Sequence, residues 1–269
     1  MDEFEELENA FAEADLELQG LLQKLLYGSG ADKYRTYQTI LFLLASLKNK
    51  VSKNSLNLIK SIYNKEMQSN FPVEVLQSQD FKAQTNLDIY SLNYELNQAL
   101  SKALSNIYMT AAAFSVSNRL EDAAKYGIDP ANASSVSVIG VNGRAFNFKL
   151  SYYTSLVLNH IRSKAETLSV INTTEKNGKD LVIVSPQASM HGDYCDAYTN
   201  AVFSLSGRDE FFPPLALTPN QGTPFHPHCR HTISPYDSSV HRNIRRVEKQ
   251  FLSSNVKDVA KAWWAKKKQ

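Results

Sequence analysis

Cysteine is nearly absent from this chain of 269 residues: there are two, Cys195 and Cys229. Two cysteines cannot build a disulfide framework, so a reducing site of synthesis is expected. Long apolar runs are missing as well. The longest, Ile40 to Ala45, is far below the roughly 20 residues that span a bilayer, so no membrane role is expected. The first 20 residues contain no base, whereas a secretory signal opens on basic residues. Motifs of familiar enzyme classes are lacking too. There is no His-Glu-x-x-His, no glycine-rich phosphate loop and no glycine-flanked serine nucleophile.

The charge that is present is polarised. Residues 1–20 hold eight acids, whereas residues 241–269 hold nine bases against two acids. Ends of opposite sign suit separate partners, or contact between neighbouring copies. At 43% hydrophobic and 21% charged residues, the composition is that of a globular protein with a substantial core.

Periodicity divides the chain. Phe4, Leu7, Phe11, Ala14, Leu18, Leu21 and Leu25 recur in steps of three and four, which predicts an acidic helix over residues 1–30 with one narrow apolar seam. That seam serves either as a core face or as a docking face. Residues 31–130 keep helical spacing almost throughout: Leu41, Leu44, Leu47 and Val51, then Leu56, Ile59, Tyr63 and Met67. After a break at Phe71-Pro72, Leu87, Leu96, Leu100, Leu104 and Ile107 continue it, with a stop expected at Gly127. At Val136 the period changes to two. Val136–Val141 and Arg144–Leu150 flank Asn142-Gly143, a hairpin signal with a type I′ turn. Ser151 offers a cap for a helix over about Tyr152–Leu168, and Leu181–Ser185 reads as a buried strand. A final basic helix is expected from Ser238, carrying Val240, Ile244, Val247, Phe251, Val259 and Trp263. The predicted class is therefore α+β. An elongated helical region precedes a small α+β domain over 131–237, and a basic helix and tail occupy 238–269.

The densest chemistry lies in Phe225-His226-Pro227-His228-Cys229-Arg230-His231. It is echoed upstream by His191-Gly192-Asp193-Tyr194-Cys195. Imidazole and thiolate are preferred zinc ligands, and a structural site takes about four of them. His191, Cys195, His226, Cys229 and His231 are the candidate metal ligands, holding a proline-rich loop against the sheet. A metal-free His/Cys network and a Cys195–Cys229 disulfide are the competing readings. His228 is expected to be exposed, and Trp263-Trp264 to be one buried and one half-exposed residue.

The second half resembles the phage minor capsid protein 2 family and the wider group of Mu F-like head morphogenesis proteins. The resemblance runs from about Val136 to Tyr236. It is carried by the hairpin, by Gly178-Lys179-Asp180-Leu181-Val182-Ile183-Val184-Ser185, by Cys195, by Val202-Phe203-Ser204-Leu205-Ser206-Gly207, and by Pro224 to His231. The chain departs from that pattern at Gly192, where many Mu F-like members have a first cysteine, and at His231, where the motif often ends in cysteine. The resemblance implies a structural minor head component of a tailed phage virion, at the portal vertex or capsid interior. It implies portal or neighbouring head proteins as partners, several copies, and contact with packaged DNA. It also makes Arg230 a motif residue that binds backbone carbonyls or a carboxylate such as Asp193 or Asp196; a surface arginine is the alternative. Two other classes remain beside it. A zinc hydrolase or nuclease would use the same cluster with Asp193 or Glu210 as base. A DNA-binding module would use the basic tail.

Overall fold

The computed structural model describes residues 3–70, 78–116, 133–140, 143–186 and 192–268. Helices dominate the first part: α1 (Glu3–Tyr27), α2 (Gly30–Asn70) and α3 (Gln79–Val116). A hairpin follows, of β1 (Ser135–Ile139) and β2 (Ala145–Lys149), then α4 (Leu150–Lys176). The remainder holds β3 (Leu181–Val184), β4 (Val202–Ser204), β5 (Ile233–Pro235) and a terminal α5 (Val256–Lys267). The fold is α+β, with two antiparallel sheets after the amino-terminal helices.

The seam of α1 is a core face. Phe4, Leu7, Phe11, Ala14, Leu18, Leu22 and Leu25 are all buried, and the acids Glu5, Glu6, Glu13 and Glu17 stay in water. Leu22 replaces the expected Leu21, because a straight helix of 3.6 residues per turn drifts away from a strict heptad. The helix stops at Gly28, whose amide bonds to the Lys24 carbonyl. A Cβ at that position would lie 2.5 Å from the same oxygen, so no side chain fits there. On the buried side of α1, the Asp15 carboxylate accepts from the Ser151 hydroxyl at 2.7 Å and the Ser151 amide at 3.3 Å. Ser151 is therefore not the expected cap. Asp15, from another helix, satisfies the first turn of α4, where unpaired amides favour a negative charge.

Two compact units divide the chain. One comprises Met1–Leu58 and Asn93–Leu158, the other Ile59–Leu92 and Asn159–Gln269. The hairpin therefore belongs with the amino-terminal helices, not with the later strands. Val136 is buried there, and Ser135, Asn147 and Lys149 share a cavity of about 580 Å³ with Leu22, Leu26 and Phe114. The hairpin register pairs Val136 with Phe148 and Val138 with Phe146. Gly143, at φ 77°, donates to the Gly140 carbonyl, and Gly140 donates to Arg144. Val141 and Asn142 lie outside the described residues, as do Phe71-Pro72 and Gly127. Within the same unit Ser55, buried in α2, donates to Asn93, and Asn97 donates back to Ser55.

In the second unit β3 is the central strand of the order β4-β3-β5, with Val182 opposite both Phe203 and Pro235. Its core gathers Val182, Val184, Tyr198, Phe203, Phe225 and Phe251. Tyr63, Asp88 and Asn172 form a separate polar network in this unit. Tyr63 donates to Asp88 at 2.6 Å, and Asn172 donates to both. The expected helix from Ser238 is much shorter than the periodicity suggested. The Asp237 carboxylate takes the amide and hydroxyl of Ser239, and the Arg245 amide donates to Asn200 in a bridge to Ala201. Those partners draw the backbone away from helical bonding. Val240 and Ile244 are left exposed, and α5 begins only where Asn255 caps the Lys257 amide at 3.0 Å.

Candidate metal centre

Two pieces of the second unit meet at the cysteines. Tyr194–Tyr198 forms a 3-10 turn that is buried throughout and carries Cys195 into the core. The aromatic anchors hold it there: the Tyr194 hydroxyl donates to the Phe225 carbonyl at 2.8 Å, and Tyr198 to the Phe251 carbonyl at 2.7 Å. The second piece is the Phe225–His231 loop. Phe225 is fully buried and stacks near the Tyr198 ring at 4.4 Å, which brings His226 and Cys229 over the turn.

Cys195, His226 and Cys229 have ligand atoms all within 4.8 Å of one another. His226 Nε2 lies 3.1 Å from Cys195 Sγ. Both cysteines are free and buried, so the disulfide reading is not realised. His231 is brought to the site but is not one of the three. Its Nδ1 lies 3.5 Å from Cys229 Sγ, and its Nε2 lies 3.0 Å from Thr199 Oγ1. Either neutral tautomer satisfies both contacts; with Cys229 as a thiolate, Nδ1–H donates to sulfur while Nε2 accepts from the threonine. His191 lies outside the described residues. His228 and Arg230 are exposed, as a surface reading of each requires. An arginine does reach a backbone carbonyl beside the site, but it is Arg245, whose Nη1 donates to the Asp196 backbone oxygen at 3.2 Å. Nothing in the sequence singles out Arg245, 49 positions away from Asp196.

The electrostatics suit a cation. The two sulfurs share a proton: hydrogen bonding to Cys229, followed by burial, pushes the Cys195 thiol up. The same bond from Cys195 pulls Cys229 down, against burial, with His231 helping. Burial lowers His226 and keeps its imidazole neutral, the form that ligates metal. Two cysteine sulfurs and an imidazole converge on one point, where a divalent ion can displace the thiol protons. Atoms bound tetrahedrally at zinc lie roughly 3.3–3.8 Å apart, so the observed spacings need only small adjustment. The residues therefore fit a zinc ion, and Cys195, His226 and Cys229 would hold it.

No family model, curated protein or solved structure matches this chain.

The site is tied to its surroundings by contacts that no spacing in the sequence announces. The Asp180 carboxylate takes the Ser204 hydroxyl at 2.6 Å and the Ser206 amide at 2.7 Å, locking β3 to the turn after β4. The Gly192 carbonyl, beside the site, accepts from Trp263 Nε1 at 3.0 Å and Lys267 Nζ at 2.6 Å. Helix α5 is thereby bonded to the segment that leads into the cluster. Trp263 is partly buried and Trp264 exposed, so neither ring is buried as one of the pair was expected to be. The Lys267 ammonium also lies 5.1 Å from the centre of the Trp263 ring. No helix among the described residues is long and apolar enough to cross a membrane.

Proposed function

We propose that this protein is a structural minor head component of a tailed phage, with a zinc ion as an internal staple of its second unit. One observation supports this above the others. Sequence blocks that carry the resemblance, separated by up to about 50 positions, assemble into one small core. Strand β3 supplies Val182 and Val184, the following turn supplies Cys195, β4 supplies Phe203, and the last motif supplies Phe225 and Cys229. A further link joins two of the blocks directly, through Asp180 and the Ser204-Leu205-Ser206-Gly207 turn. The burial of both cysteines favours a structural metal over a catalytic one, because a catalytic zinc needs a position open to water and substrate.

In this reading the partners are the portal or a neighbouring head protein, in several copies about a symmetric vertex, close to packaged DNA. Docking through the apolar seam of α1 is not supported, since that seam is buried. The exposed lysines of α5, Lys257, Lys261 and Lys266, are the better contact surface. The test is location. Particles purified from cells making this chain are assayed for it by mass spectrometry and imaged with it tagged. Stoichiometric presence at one vertex or along the inner wall is expected. Its presence in the cells but absence from the particles rejects the reading. Elemental analysis of the purified chain checks the metal separately, with about one zinc per chain expected.

A further inference from the structure

Three protein atoms are one short of the four that a structural zinc takes. Resting on the zinc reading above, we propose that the fourth ligand is the carboxylate of Asp193, which makes the centre a Cys195-His226-Cys229-Asp193 site.

Geometry supports the assignment. Asp193 Oδ2 lies 4.0 Å from His226 Nε2, the nitrogen that also contacts Cys195 Sγ at 3.1 Å. Oxygen and nitrogen on one tetrahedral zinc sit about 3.3 Å apart, so the approach to His226 needs less than about 1 Å, while the carboxylate also swings toward the sulfurs, being outside the trio whose ligand atoms lie within 4.8 Å of one another. The side chain has room to make that move, being 46% exposed, against 15% for His226. It is also not committed to its usual task. Asp193 stands at the cap position of the Tyr194–Tyr198 turn, with φ −88° and ψ 166°, yet its side chain makes no capping hydrogen bond. An aspartate in that position ordinarily takes an amide two or three residues on. Here the Asp196 amide bonds the Asp193 main-chain oxygen instead, at 3.1 Å. The backbone is held on the other side too, because the Gly192 carbonyl is pinned by Trp263 and Lys267.

His231 is a poor rival. Its two ring nitrogens already meet Thr199 and Cys229, so its part is to support the Cys229 thiolate. Charge agrees with the choice of Asp193. Two thiolates and one carboxylate around a divalent ion leave one net negative charge, and the Lys267 ammonium lies on the neighbouring carbonyl to offset it. The assignment accounts for Gly192 as well. With φ 72° and a Cβ-equivalent position 2.7 Å from Lys267 Nζ, a side chain there would push the lysine away from the ion.

The experiment is a titration of the full chain with cobalt(II), which reports tetrahedral coordination in its visible bands, followed by zinc competition against a chelator. The variants are Asp193→Ala, Asp193→His and His191→Ala. Wild type is expected to bind one cobalt with an intense tetrahedral spectrum. Asp193→Ala should weaken zinc binding roughly 10-fold or more and reduce the intensity of the bands. Asp193→His, which restores a ligand, should recover both, and His191→Ala should match wild type. Thermal unfolding of the metal-free Asp193→Ala chain should be unchanged, because the side chain is half in water. If wild type binds no metal, the zinc reading itself falls. If wild type binds and Asp193→Ala binds equally well with the same spectrum, Asp193 is not the ligand. An equal or larger loss in His191→Ala overturns it too.

Discussion

At the scale of single residues, the cysteines and Asp180 carry the most testable consequences. Cys195→Ser or Cys229→Ser removes a soft ligand and leaves a hydroxyl in an apolar core. A buried hydroxyl without a good partner costs about 1–3 kcal/mol by itself, and the zinc contribution is lost in addition. Each variant is expected to purify without zinc and to unfold at least ~5 °C below wild type by calorimetry. Asp180 predicts a pH effect. Burial alone would raise its carboxyl, but the Ser204 hydroxyl, the Ser206 amide and hydroxyl, and Arg208 outweigh that and hold it below the usual carboxylate range. A group depressed in the folded state stabilises fully above its unfolded value, near pH 4, and that contribution disappears as pH falls through the folded value. Asp180→Asn should therefore cost about 1 kcal/mol at pH 7. The gap to wild type should shrink below about pH 4 in chemical denaturation run across pH. A gap of constant size would mean that the clasp acts through shape and not through charge.

At the scale of elements, α1 and α5 show opposite outcomes of one kind of reasoning. Steps of three and four identified α1 and its buried face from Phe4 to Leu25, because α1 obeys a simple local rule along its whole length. The choice between core face and docking face was not legible, since periodicity says which side is apolar and not what covers it. Truncation decides it: Leu18→Ala or Phe11→Ala should cost about 2–5 kcal/mol in the isolated chain. Deleting residues 1–30 should destabilise it too, where a docking helix would leave it unchanged. For α5 the same rule over-extended the helix back to Ser238. Asp237 turns the backbone locally through Ser239, and Arg245 bonds to Asn200, 45 positions away; the second of these has no local signal. The candidate site divides in the same way. Cys195, His226 and Cys229 were legible by residue type and clustering. The roles of Asp180, Thr199 and Arg245 were not, because serine, threonine, aspartate and arginine are too common to stand out.

At the scale of the molecule, the metal lies in one of two compact units. Chelation should thus weaken the unit of Ile59–Leu92 and Asn159–Gln269 while sparing the hairpin and α1. A ligand present at 100 times its dissociation constant stabilises by about 2.7 kcal/mol, so the loss is large enough to follow by hydrogen exchange. Faster exchange is expected in β3, β4 and the amide of Phe251, with Leu7 to Leu18 little changed. Trp263 gives an optical readout of the same event through its bond to Gly192. Its emission should shift when zinc is removed. Uniform loosening of both units would show instead that the molecule unfolds as one.

The same division bears on how the chain is made. Each unit is built from two stretches that are not adjacent in sequence, so the first helix leaves the ribosome long before its own unit can close. Residues up to Leu58 must wait for Asn93–Leu158, and in the interval Ile59–Leu92 emerges with no completed fold of its own. Folding in order of synthesis is therefore denied to this protein, and its apolar seam is exposed through much of translation. A nascent chain stalled near residue 130 should hold chaperones that a chain stalled well beyond its carboxyl end releases.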